Sequence, residues 1–72
     1  MGHWADTVRR ICQKHHALSL QDGQVITICY NKTGQGSIIS RAIETELIGK
    51  VAILNIKLIP NELKLEVSAR EF

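Results

Sequence analysis

The chain has 72 residues, a formal net charge of +2, 22% charged and 44% hydrophobic side chains. These totals predict one small domain, and the charge alone does not select a polyanionic partner. Two cysteines are too few for a disulfide scaffold, and no apolar run reaches the roughly 20 residues of a membrane span.

A chain of this size buries only about 60% of its unfolded surface, so self-association is the expected further source of stability. Met1–Asp6 carries neither a basic start nor an apolar run, and the expected location is the cytoplasm, with reduced thiols. Residues 1–33 hold four basic groups (Arg9, Arg10, Lys14 and Lys32) against two acidic ones, Asp6 and Asp22, whereas residues 34–72 hold five of each sign.

Trp4, Val8, Ile11, Cys12 and His15 recur at helical spacing, with Arg9, Arg10, Gln13 and Lys14 mostly on the other side. This predicts an amphipathic helix over about 4–16, with Trp4 as an anchor onto the rest of the domain or onto a second subunit. Asp22-Gly23 between apolar alternations signals a hairpin that pairs residues 16–20 with 24–31. The alternative is a helix continuing to about Leu20 and ended by Gly23. Within the second strand Ile26, Ile28 and Tyr30 share one face, and Val25, Thr27 and Cys29 the other.

Asn31-Lys32-Thr33-Gly34-Gln35-Gly36 then breaks the chain with turn chemistry. Residues 37–48 read in two ways. As a strand, Ile39, Ile43 and Leu47 share a face with Arg41 and Thr45; as a helix, Ile38, Ile39, Ala42, Ile43 and Leu47 form a stripe and Gly49 terminates it. Within 50–59, Val51–Ile59 is an apolar run interrupted only by Asn55 and Lys57, Pro60-Asn61 turns, and 62–68 alternates strictly, which predicts a C-terminal hairpin with one wet face. Phe72 ends the chain and is a candidate to fold back onto the core. The expected fold is mainly β, with one N-terminal α-helix and a small SH3/Sm-like barrel of about five strands. The alternative, with 37–48 helical, is α+β in the order α-β-α-β-β.

Leu20–Tyr30, a short loop, and Arg41-Ala42-Ile43-Glu44-Thr45-Glu46-Leu47 resemble the WYL-type regulatory domain, in which an apolar strand ends in Tyr and an Arg-x-Ile-Glu-Pro-like strand follows. Thr45 stands where that family has Pro, and Val51-Ala52-Ile53 where its naming Trp-Tyr-Leu lies. Cys12–His16 before Leu18–Gly23 is similar to the helix-to-strand junction of the Sm-like Rho-binding antiterminators. Ile39–Thr45 resembles, more weakly, a helical segment of Alba-type nucleic-acid-binding proteins. The resemblances imply a non-enzymatic regulatory module that binds nucleic acid, a small ligand or a transcription factor.

Three clusters invite chemistry. Cys12, His15 and His16, with Cys29, contain metal-ligand residue types, but their spacing fits no closed zinc motif and the apolar stripe already accounts for Cys12 and His15. No metal or other cofactor is expected. Lys32–Ser37 looks superficially like a phosphate-cradling loop, yet it lacks Walker A spacing and reads first as a plain turn; a helix opening at Ser37 would still offer amides to an anion. Glu44 and Glu46 are two apart and read as solvated rather than as a catalytic pair, and no enzyme is expected.

Arg9, Arg10, Lys14, Lys32 and Arg41, with Tyr30 as a stacking ring, form the candidate nucleic-acid surface, single strands being favoured over duplex. The plainer reading is a solvated helix face and a core tyrosine. The expected function is therefore non-enzymatic nucleic-acid binding in transcriptional or RNA-level control. The alternative is a protein–protein or oligomerisation module using the apolar helix face, Trp4 and an exposed strand edge, and a ligand- or metal-sensing domain ranks third.

Overall fold

The computed structural model of the chain describes residues 3–72. Helix α1, His3–Lys14, buries Trp4, Ala5, Val8, Ile11 and Cys12 and carries Asp6 in its first turn and Lys14 in its last, signs that suit the helix dipole. Trp4 is thus an anchor within the chain's own core. The helix stops where His16 takes a left-handed conformation, φ 57°. The Ala17 N–H then donates to the Cys12 carbonyl at 2.9 Å and the His16 N–H to that of Gln13 at 3.2 Å. This is the paired bonding of a Schellman motif. A non-glycine residue there costs roughly 1–2 kcal/mol, offset by the capped carbonyls and by the sharp exit into the sheet.

Strands β1, Leu18–Asp22, and β2, Val25–Cys29, form the first hairpin. Gly23 supplies the positive φ, 63°, at the first position of its two-residue turn, and Gln24 stays out of that region, the pattern of a type II′ turn. The second hairpin joins β3, Val51–Ile59, to β4, Lys64–Glu71, through a 3-10 turn at Pro60–Glu62. Both expected hairpins are present, the first with its leading strand at Leu18–Asp22 rather than at 16–20, because the chain is still capping α1 at His16 and Ala17.

Residues 37–48 are not a strand: Gln35–Leu47 is helix α2, which buries Gly36, Ile39, Ile43 and Leu47. A strand there would have buried Arg41 beside the isoleucines, whereas the helix turns the guanidinium outward. Gly34 at φ 89° opens the helix and Gly49 at φ 80° follows its end. The described residues form four strands, and the sheet is open and antiparallel in the order β1-β2-β4-β3. The small barrel is therefore corrected to an open α+β fold. Neither is the order the expected alternative, because both hairpins accompany both helices: α-β-β-α-β-β.

The helices share a core cluster with Ile26, Ile28, Leu65, Val67 and Ala69 of the inward sheet face. Register places Ile26 opposite Val67 and Ile28 opposite Leu65. The other sheet face has no helix over it among the described residues. Phe72 is 84% exposed and does not fold back onto the core.

Candidate interaction surfaces

The expected basic surface is only partly assembled. Arg10, Lys14, Lys32 and Arg41 are exposed on α1, the α1–β1 end, the Asn31–Gly34 loop and α2. Arg9 is engaged: it pairs with Asp6 and its Nη1 donates to the Gln21 Oε1 at 3.0 Å. Tyr30 is 5% exposed, with its ring packed over Gly36, so it presents no face to a base.

Gln35, which sequence reasoning passed over, organises this end of the molecule. Its Oε1 accepts from the backbone N–H groups of Asn31 at 3.1 Å and Lys32 at 3.2 Å. Its Nε2 donates to the His15 carbonyl at 2.7 Å. One side chain thus ties the loop carrying Lys32 to the end of the helix carrying Lys14. It also fills with a protein oxygen the amides that a phosphate-cradling loop would offer. A glutamine directly after a Gly-containing turn was the available signal, but its partner lies twenty residues away in the chain.

The metal reading loses its fourth residue. Cys29 pairs laterally with Leu18 and Lys64 on the outer sheet face, while Cys12 lies in the core on the helix side. Burial pushes the Cys12 thiol up to about 11, which disfavours the thiolate that a metal or electrophile needs. His15 is half-buried and His16 exposed, and among the described residues no three His, Cys, Asp or Glu side chains lie together as a ligand set. Glu44 and Glu46 are both exposed on α2, where residues two apart diverge. A shallow depression on the same helix is lined by Ile38, Arg41, Ala42, Thr45 and Glu46.

The least expected surface lies on the outer face of the first hairpin. An alternation such as Leu18-Ser19-Leu20-Gln21 normally turns its leucines inward. Here register sets Ser19 opposite Ile28 and Gln21 opposite Ile26, so the polar residues join the helix side. Leu18 and Leu20 lie opposite Cys29 and Thr27 on the outer side and are 73% and 70% exposed. The stronger apolar face of β2 fixes the hairpin's orientation, and β1 follows it at the expense of its own pattern.

The two sheet edges are unequal. The β3 edge is interrupted by a register shift between Ile53 and Asn55 and carries the exposed Lys57. Irregularity and lysine are the usual protections against edge pairing. The β1 edge is in unbroken register with β2 and has no charge before Asp22. No helix among the described residues is long and apolar enough to cross a membrane. Comparisons with protein-family models, with curated proteins and with solved structures found no match.

Proposed function

We infer that the chain is a non-enzymatic protein-association module whose docking element is the first hairpin. The observation that carries this reading is the pair of exposed leucines, Leu18 and Leu20, on a regular edge strand that is uncharged from Leu18 to Gln21. Single exposed leucines need no explanation, but two on one strand beside the exposed Val25 form a patch at a free edge. A strand edge supplies main-chain bonding and the flanking apolar residues supply selectivity, the recognition mode of β-augmentation. The test is a photo-crosslinking amino acid placed at Leu18 or at Glu46 of α2 in cells that naturally make the protein. A discrete adduct is expected from position 18 and none from position 46. An absence of adducts at 18 would refute the reading.

A second reading, nucleic-acid binding by the helix layer, is favoured by the Gln35 bond that holds the Lys14 and Lys32 ends together. It no longer includes Tyr30 as a stacking ring, and Arg9 is occupied by Asp6 and Gln21. Fluorescence anisotropy with single-stranded RNA and DNA over a salt series separates the two readings. Replacing Arg10, Lys14 and Lys32 together by Ala should lower the slope of log K against log salt by about 2, from roughly 0.7 per lost phosphate contact. No binding even at low salt would remove this reading.

A further inference from the structure

We propose that the partner of the first hairpin is a second copy of the chain, paired antiparallel along β1 about a two-fold axis at Leu20. This rests on the association reading and names its partner. A two-residue turn closes with a hydrogen-bonded pair, here Asp22 and Val25. Alternation then makes Leu20–Thr27 and Leu18–Cys29 the other bonded pairs. The intervening residues, Ser19 and Gln21, direct their backbone N–H and C=O groups to the free edge.

Those residues sit symmetrically about Leu20. A two-fold axis perpendicular to the sheet at Leu20 sets Ser19 against the partner's Gln21 and Gln21 against the partner's Ser19. Both are then bonded pairs of one antiparallel ladder, in which each pair exchanges two N–H to C=O bonds. Leu20 meets the partner's Leu20 at the non-bonded position between them, where side chains approach most closely, with Cα atoms about 4.5 Å apart. The operation keeps outer face on outer face, so the leucines of both copies join one patch. The contact is isologous and closes at two copies.

Charge is compatible with this register. β1 is uncharged from Leu18 to Gln21. The two Asp22 residues are held four strand positions apart, about 13 Å at 3.3 Å per residue, beyond the Debye length of roughly 8 Å at physiological salt. The +2 net charge of each copy adds little repulsion. Area sets the strength. The exposed surface is 4774 Å², so a standard interface of about 800 Å² per partner would take roughly a sixth of it. A five-residue edge with its leucines covers less, and the dimer is accordingly reversible and concentration-dependent.

The experiment uses the full chain with Cys29 replaced by Ser, leaving the buried Cys12 as the native thiol. Leu20→Cys under mild oxidation is expected to form a covalent dimer, because the two Cα atoms lie within the roughly 4.4–6.8 Å that a disulfide spans. Leu18→Cys, whose two copies would lie about 13 Å apart by the same spacing, is expected not to. In the otherwise native chain, Leu20→Lys sets two like charges against each other on the axis and should weaken the dimer about 100-fold in sedimentation equilibrium. Leu20 is 70% exposed, and an unchanged circular dichroism spectrum verifies that Leu20→Lys leaves the monomer folded.

A monomer at millimolar concentration, or equal cross-linking from positions 18 and 20, would overturn the pairing. So would masses that keep growing past the dimer, the mark of β1 adding head-to-tail to the opposite edge. If the Leu18 photo-adduct in cells has the mass of a different protein and the purified chain is monomeric, the association reading stands and the second copy falls. If there is neither adduct nor dimer, both fall.

Discussion

Replacing Gly36 with Ala is expected to destabilise the chain by about 2 kcal/mol, within the roughly 1–3 kcal/mol usual for overpacking a filled site. The sign runs against backbone preference, since Gly loses more conformational freedom than Ala when fixed in a helix, here in the first turn of α2. The reason is the close approach of Tyr30. A Cβ at position 36 would overlap the Tyr30 hydroxyl and lie 2.9 Å from its Cε1. The ring is buried, so it has little room to swing away. Urea denaturation of Gly36→Ala and of Tyr30→Leu, alone and together, isolates the contact. In the Tyr30→Leu background the Gly36→Ala change should be neutral or stabilising, because only the propensity gain remains. An equal loss in both backgrounds would mean that the ring is not what keeps position 36 bare.

That contact also explains why α2 was hard to read from the chain. Ile39, Ile43 and Leu47 recur every four residues. Four is a multiple of the strand period and close to the helical 3.6, so both patterns accept the same three residues. What separates them is tertiary: Arg41 cannot share a buried face with them, and Gly36 is needed where a distant ring arrives. Elsewhere the period is unambiguous. The five buried residues of α1 fit one helical face alone, and the strict alternation of β4 fits a strand alone.

The candidate site was legible in reverse. The alternation of β1 located the strand, but its leucines point the opposite way from the usual rule, because pairing with Ile26 and Ile28 decides which face is inside. A local pattern that yields to its neighbour is where a second requirement on the sequence is to be sought. Leu18 and Leu20 meet that description, and Tyr30, buried in the core on the face its alternation implies, does not. The charge of Arg9 is visible in the sequence, but its bond to Gln21 across twelve residues is beyond the reach of local spacing.

Removing the Gln35 side chain is expected to cost about 2 kcal/mol and to loosen one end of the molecule. Gln35→Ala leaves the Asn31 and Lys32 amides and the His15 carbonyl without their shared partner. A typical net hydrogen bond is worth about 0.5–1.5 kcal/mol, and water can reach the two exposed loop residues, so the three bonds sum to less than three full desolvation penalties. Gln35→Glu separates the halves of the contact. Its carboxylate can still accept from both amides, close to the favourable N-terminus of α2, but it has no N–H for the His15 carbonyl. The Glu variant should therefore fall between wild type and Ala in stability. Hydrogen exchange gives the sharper readout: protection of the Asn31 and Lys32 amides should be lost in Gln35→Ala and kept in Gln35→Glu. Persistent protection in the Ala variant would show that the loop holds its own shape, and the link between the Lys14 and Lys32 ends would then need another origin. Such a loss of order would also reach function unequally. It would release the Lys32 loop from the Lys14 end of α1 while leaving Leu18 and Leu20 on a strand held by β2, so Gln35→Ala should impair nucleic-acid binding by the helix layer and spare association through the first hairpin.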